Sequence, residues 1–121
     1  MGRLIPNLEI WFNRTYGEVD YYLTQALSGH GCFNKYLHSR RRAEKSNCNF
    51  CQKEDDAEHT LFECTQWTYI RETFRQETNQ RFTVYSMREG LTLSKNSWKH
   101  VYKTVRKIIE IKEKSMPKNN L

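Results

Sequence analysis

Apolar residues recur at helical spacing over much of the chain. The pattern is clearest near the C-terminus, where apolar positions follow the i, i+3, i+4, i+7 rule of an amphipathic helix. These positions are Trp98, Val101, Tyr102, Val105, Ile108 and Ile109. Ser94 or Ser97 is expected to cap the start of this helix, and Pro117 bars its continuation. The sequence therefore predicts a long amphipathic C-terminal helix.

Shorter helices are predicted upstream of it. The apolar stripes are Leu4, Leu8, Trp11 and Phe12; then Val19, Tyr22, Leu23, Ala26 and Leu27; then Phe33, Tyr36 and Leu37; and finally Trp67, Ile70 and Phe74. Gly29 follows the second stripe, at a position where glycine commonly ends a helix. Phe82, Val84 and Tyr85 alternate briefly, as in a short strand.

The cysteines are concentrated in one short segment. Three of the four fall within residues 48–64, and a histidine lies among them, in the spacing Cys-x2-Cys-x7-His-x4-Cys. Cys48, Cys51, His59 and Cys64 are the ligand types and number that a closed tetrahedral zinc site requires. A fourth protein ligand leaves no open position for water, so we expect one structural Zn²⁺ rather than a catalytic one.

Local capping signals accompany these ligands. Asp55 or Asp56 is expected to cap a short helix that begins near Ala57 and carries His59. Thr65 is expected to cap the next helix. The predicted fold is therefore mostly α, with short helices that flank a small zinc knuckle and a long amphipathic C-terminal helix.

Other uses of the cysteines are less favoured. A disulfide between Cys48 and Cys51 would close a strained loop, and a Cys-x-x-Cys redox pair would want a βαβ surrounding that the sequence lacks. Unconnected buried thiols are the remaining alternative. Cys32 lies near His30 and His38, which suggests either a second site or, as we favour, a small buried thiol.

Length and composition limit the size of the core. The 121 residues suit one domain, or one metal module with helical flanks, divided as 1–46, 47–64 and 65–121. A hydrophobic content of 37% and a mean hydropathy of -0.90 predict a modest core, so zinc would supply part of the folding free energy. We expect no membrane segment and a reducing compartment, the nucleus or cytoplasm, rather than secretion.

The net charge of +6 is unevenly distributed. Residues 34–46 hold five basic residues against one acidic, and residues 91–121 hold eight against two. Residues 47–64 hold five acidic residues against one basic, so the flanks must supply any contact with phosphate. The predicted nucleic-acid contacts are Arg40, Arg41, Arg42, Lys99, Lys103, Arg106 and Lys107. Lys112 is placed on the same helix face, for which a solvated basic face is the alternative.

His30 lies between two glycines. It either contacts a phosphate or a neighbouring protein domain, or packs at a helix junction, which we favour because the glycines already explain a turn.

Two ordered motifs carry a family resemblance. They are the run from Gly17 to Phe33 with Tyr36-Leu37, and the metal ligands followed by Asp56-Ala57-Glu58-His59-Thr60-Leu61-Phe62-Glu63-Cys64 and Trp67. Over roughly residues 3–75 the chain resembles the C-terminal end of a non-LTR retrotransposon polyprotein and is most similar to the arthropod type-1 elements targeted to ribosomal DNA. The resemblance implies that the four Cys and His residues bind zinc and that Ser28-Gly29-His30-Gly31 is an upstream signature.

The resemblance also implies a context. Such polyproteins combine RNA-directed DNA polymerase and endonuclease, and insert by priming reverse transcription at a chromosomal nick. This chain lacks a Tyr-x-Asp-Asp-type carboxylate pair and an endonuclease constellation, so we expect no enzyme in the chain alone. We expect a truncated copy, a fragment or a terminal exon.

The expected function follows from these features. It is a zinc-stabilised module that helps to bind template RNA or target DNA, beside the upstream reverse transcriptase domain, with no membrane or small-molecule partner. The alternatives are a docking module for the polymerase domain, which would expose the apolar face of residues 19–37, and a decayed fragment.

Overall fold

The computed structural model describes residues 20–116, which are mostly helical. The α-helices are α1 (Tyr21–Ser28), α2 (Asn34–Ser39), α3 (Thr68–Thr78), α4 (Val84–Leu93) and α5 (Lys95–Ser115). A π-helical turn (His59–Glu63) and a 3₁₀ turn (Thr65–Trp67) precede α3. Between residues 20 and 116 the only β pairing is an isolated antiparallel bridge between Asn47 and Glu54. The predicted mostly α fold is confirmed. The stripe Leu4, Leu8, Trp11 and Phe12, as well as Val19 and Pro117, lies outside the described residues.

The long helix α5 organises the core. It packs against α1, α3 and α4 and buries one continuous apolar stripe. Its buried apolar residues are Trp98, Val101, Val105, Ile108 and Ile109, as the spacing predicts, and Tyr102 of the same stripe is half-buried. Ser94 and Ser97 both take part in the cap: Ser94 Oγ accepts from the Ser97 N–H at 3.1 Å, and Ser97 Oγ accepts from the Ser94 N–H at 3.0 Å. The reciprocal pair satisfies two N–H groups that would otherwise lack partners.

The predicted strand around Val84 is wrong. Val84 is the first residue of α4, because Thr83 and Ser86 form the same reciprocal cap, with N–H to Oγ distances of 3.2 and 2.9 Å. Phe82 precedes the cap and is buried between the rings of Phe62 and Phe74, at centroid distances of 5.3 and 5.0 Å. The apparent alternation therefore spans a helix start, where one apolar residue packs before the cap and the next belongs to the helix.

The first two helices confirm the sequence prediction. Leu23, Ala26 and Leu27 are buried on α1, which ends at Gly29 in the left-handed region (φ 73°). The apolar face of residues 19–37 is therefore covered within the chain where the structure describes it, contrary to the expectation attached to the docking alternative. Thr65 does not cap α3, since it lies inside the 3₁₀ turn and α3 begins at Thr68 with no side-chain cap.

Among residues 20–116, no helix has both the length and the apolar composition needed to cross a bilayer.

Candidate metal centre

The first ligand pair lies on a tight backbone turn. The N–H of Cys48 donates to the carbonyl of Lys53 at 2.6 Å, and the N–H of Gln52 donates to the carbonyl of Cys48 at 3.2 Å. Gln52 adopts a positive φ of 64°, which lets the chain reverse directly after Cys51. The N–H of Phe50 points at Cys48 Sγ from 3.4 Å. A backbone N–H aimed at a sulfur stabilises negative charge there, as a thiolate ligand needs.

The second pair lies at the two ends of the π turn. Asp56 Oδ1 accepts from the N–H of His59 at 2.8 Å, which confirms the predicted cap at Asp56. The N–H of Cys64 reaches back five residues to the carbonyl of His59 at 2.7 Å. This wider turn brings His59 and Cys64 to the same side of the segment, facing the first pair.

The four side chains converge on one point. Their ligand atoms all lie within 4.8 Å of one another. Cys48 Sγ lies 3.8 Å from Cys64 Sγ, and Cys51 Sγ lies 4.0 Å from Cys64 Sγ and 3.0 Å from His59 Nε2. A zinc tetrahedron with Zn–S bonds of 2.3 Å has S–S edges of about 3.8 Å, whereas a disulfide joins sulfurs at about 2.05 Å. The cluster therefore fits a closed four-ligand metal site and excludes disulfides among the three cysteines.

The electrostatics of the cluster call for a cation. Burial is the largest cause that raises the pKa of the Cys64 thiol, to about 12, and the neighbouring Cys48 and Cys51 raise it further. The Cys64 sulfur therefore becomes a thiolate ligand only with a positive charge beside it. His59 presents Nε2 to Cys51 Sγ, while its buried Nδ1 has no hydrogen-bond partner and lies 3.7 Å from a carboxylate oxygen of the exposed Glu63. A metal-binding imidazole usually donates its second N–H to such a carboxylate, and at 3.7 Å the Glu63 carboxylate is near Nδ1 without forming that hydrogen bond.

A buried ion pair anchors the loop between the two ligand pairs. Lys112 of α5 donates to Asp55, and both side chains are buried, with exposed fractions of 4% and 1%. Asp55 also accepts from the N–H of Asn34 at 2.8 Å and from the hydroxyl of Thr60 at 3.0 Å. The placement of Lys112 on the exposed basic face of α5 is wrong, and of the two candidate caps Asp56 serves, whereas Asp55 is buried in this ion pair. The reason is that each charge is compensated by the other inside the core.

Arg71 of α3 was not predicted. It is half-buried, and its guanidinium donates to the carbonyls of Leu61 at 3.2 Å, Thr60 at 3.4 Å and Cys64. Thr60 and Leu61 lie in the π turn, whose last carbonyls run out of helical partners, and the Cys64 carbonyl also accepts from the N–H of Trp67 at 3.3 Å. Burial lowers the pKa of Arg71. Arg71 thus fixes the segment that carries two of the four ligands.

The remaining cysteine is separate from the cluster. Cys32 is fully buried, and burial raises the pKa of its thiol to about 12. This agrees with the favoured prediction of a small buried thiol.

The predicted phosphate contacts fall into two groups. Arg40, Arg41 and Arg42 are exposed on the turn that ends α2. On α5, Lys103 donates to Glu77 at 2.9 Å and Arg106 to Glu110 at 3.3 Å, while Lys99 and Lys107 are exposed. Carboxylates therefore neutralise part of the α5 face, and the arginine turn is the more concentrated positive surface. These seven residues remain predicted nucleic-acid contacts.

Comparison with known proteins identifies two similar polyproteins. The Pol polyprotein of type-1 retrotransposable element R1 4 from Nasonia vitripennis is 34% identical over 53 residues, which are 44% of this chain and 14% of that protein. The Pol polyprotein of element R1 2 from the same species is 33% identical over 54 residues, 45% of this chain and 13% of that protein. Part of this chain is similar to R1 retrotransposon Pol polyproteins. The predicted resemblance is confirmed.

The similarity has a limited extent. The aligned part makes up only 13–14% of each polyprotein. The similarity therefore does not assign the activities of the whole polyproteins to this chain. No family model and no solved structure matches the sequence significantly.

Proposed function

We propose that this chain is a zinc-stabilised nucleic-acid-binding module from the C-terminal end of a retrotransposon reverse transcriptase polyprotein. In this role it assists the binding of template RNA or target DNA during target-primed reverse transcription, in the nucleus or cytoplasm. The parent polyprotein would supply polymerase and endonuclease, and this chain alone would supply neither. The observation that carries the proposal is the Cys48, Cys51, His59 and Cys64 cluster, in a chain similar to R1 Pol polyproteins.

Zinc is the metal that suits this donor set. Three thiolates and one imidazole within tetrahedral distances are a typical structural zinc set, whereas magnesium and calcium prefer oxygen ligands. The ion would have a structural role in residues 47–64, and residues 1–46 and 65–121 would form its helical flanks. Native mass spectrometry should find about one zinc per chain, and a folded protein without metal would contradict this part of the proposal.

The flanks would supply the contact with nucleic acid. Zinc with three thiolates carries a net charge of about -1 and sits among acidic residues, so the knuckle repels phosphate. Arg40, Arg41 and Arg42 are exposed directly beside it in sequence. Backbone phosphates would be bound mainly there, with a weak sequence preference and a steep dependence on salt.

A binding titration at several salt concentrations tests the proposal. The variant Arg40→Gln/Arg41→Gln/Arg42→Gln should weaken binding of labelled RNA and DNA and reduce the slope of log K against log salt by about 2–3. The matched control is Arg81→Gln/Arg88→Gln/Lys95→Gln, which removes three exposed charges outside the predicted contacts. Equal affinity and slope in both variants would show that the arginine turn binds no nucleic acid.

Docking to the upstream polymerase domain is the second candidate function. This alternative predicts an exposed apolar face over residues 19–37. That face is buried inside the chain where the structure describes it, so it does not favour docking.

A further inference from the structure

Two glycines hold His30 at the junction of α1 and α2. Gly29 and Gly31 have φ values of 73° and 152°, which favour glycine. A Cβ on Gly31 would lie 2.2 Å from Gln25 Oε1, the atom that accepts from the N–H of Cys32 at 2.9 Å. The backbone around His30 therefore has one geometry, fixed by a buried amide on α1. His30 itself is exposed.

The ring of His30 stacks on Tyr36. The two centroids are 4.6 Å apart with an interplanar angle of 20°, and the Arg40 guanidinium lies 5.6 Å from the centre of the Tyr36 ring. Tyr36 covers one face of the imidazole, so the exposed side chain turns its other face to solvent. An exposed flat ring that is already supported from behind loses little freedom when a second ring stacks on it.

The adjoining arginines are held in a strained turn. At the end of α2 the N–H of Arg41 donates to the carbonyl of His38 at 3.0 Å, and that of Arg42 to the carbonyl of Leu37 at 2.7 Å. This is the Schellman arrangement, and Arg41 occupies its left-handed position with φ 60°. Glycine adopts that conformation at lower cost. The stability of the fold therefore does not explain why an arginine occupies position 41.

We propose that His30, Tyr36 and Arg40–Arg42 form a binding site for one unpaired nucleotide of a single-stranded nucleic acid. The base stacks on the free face of His30, and the arginines contact the flanking phosphates. This site rests on the proposed function and makes it more specific. It would favour single strands, because the bases of a duplex are stacked on each other and cannot reach the His30 ring. Base stacking on aromatic side chains is tolerant of sequence and common in single-strand binding.

The test compares single and double strands with the zinc-loaded full chain. The probes are labelled oligo(dT) and oligo(U) of about 12 nucleotides and a DNA duplex of equal length. His30→Ala should weaken single-strand binding at least about fivefold and leave duplex binding within about twofold, and His30→Trp should restore it. His100→Ala is the matched control. The oligo(dT) and oligo(U) arms distinguish DNA from RNA as the better ligand.

Two further readouts separate binding from folding. Arg41→Gly removes a charge but relieves the left-handed turn, so it should weaken binding while the melting temperature stays equal or rises. In NMR spectra, oligo(dT) should shift the His30 ring protons upfield.

Two outcomes would overturn the site. One is unchanged single-strand affinity in His30→Ala, and the other is an equal loss for single strand and duplex. If the arginine triple variant still loses binding in either case, only this site fails and the proposed function stands.

Discussion

Lys112 and Asp55 form a buried ion pair across 57 residues of sequence, joining the last helix to the loop between the two ligand pairs. Lys112 also donates to Thr60 Oγ1 at 2.7 Å and lies 4.9 Å from the centre of the Phe33 ring. The pair thus connects α5, the start of α2 and the π turn at one buried point. The metal site and the helical core are therefore parts of one structure.

Removal of one partner of this pair should be strongly destabilising. Asp55→Ala leaves an uncompensated ammonium in the core, and we expect a loss of about 3–5 kcal/mol in the free energy of unfolding. Adding Lys112→Met to that variant should recover part of the loss. Urea unfolding of both single variants and the double variant measures the coupling. Additive losses would show that the two charges do not interact.

Loss of a metal ligand should unfold more than the knuckle. Cys51→Ala should lose the bound metal and much of the helical circular dichroism signal, because the π turn and the loop around Asp55 depend on the same segment. Cys32→Ala is the control, since Cys32 is buried outside the cluster, and it should keep one metal per chain. Full helicity after chelation would contradict the structural role of the ion.

Arg71 should matter more than its surface location suggests. Arg71→Ala removes the side-chain donor shared by the carbonyls of Thr60, Leu61 and Cys64, and we expect a loss of about 1–3 kcal/mol and weaker metal retention. Arg75→Ala on the same helix removes only an exposed pair with Glu72 and should change the melting temperature little. Competition with a chelating dye measures metal retention, and equal effects of the two substitutions would refute the capping role.

Gly90 should be required by the packing of α4 on α5. A Cβ at this position would lie 2.5 Å from Val101 Cγ2. Alanine gains about 1 kcal/mol of helix propensity, but overpacking costs about 1–3 kcal/mol, so Gly90→Ala should lower the melting temperature. The effect should be smaller in a Val101→Ala background, where the clashing methyl group is absent. A stabilised Gly90→Ala single variant would show that the interface opens freely.

Asp20 should contribute to stability only above acidic pH. Partial burial raises the pKa of Asp20, but the N–H of Leu23, the Tyr102 hydroxyl and the N–H of Tyr22 outweigh it, so the folded pKa lies below the ordinary 3.8. The contribution is therefore complete above about pH 4 and is lost as the pH falls through the folded pKa. The melting-temperature difference between the native chain and Asp20→Asn should close in that range, whereas a difference independent of pH would contradict the linkage.

The sequence reveals the ligands and the long helix because each depends on local spacing. The burial of Lys112 and Arg71 could not be predicted, because a charged side chain is expected in solvent unless its partner elsewhere in the chain is known. One signal for Lys112 was present, since it continues the buried stripe of Val105 and Ile108 at seven and four residues. Arg71 has no such signal, because its acceptors are backbone carbonyls of another segment. The strand predicted at Val84 is wrong because the apolar alternation crosses the helix cap at Thr83.

The ion pair between Asp55 and Lys112 also orders events during synthesis on the ribosome. All four metal ligands are translated before Lys112, so a metal ion bound before then would meet an Asp55 carboxylate that lacks its lysine partner. Native closure of the ligand loop has to wait for the last turns of α5. A nascent chain arrested before that lysine would hold its ion in a loose, exchangeable form.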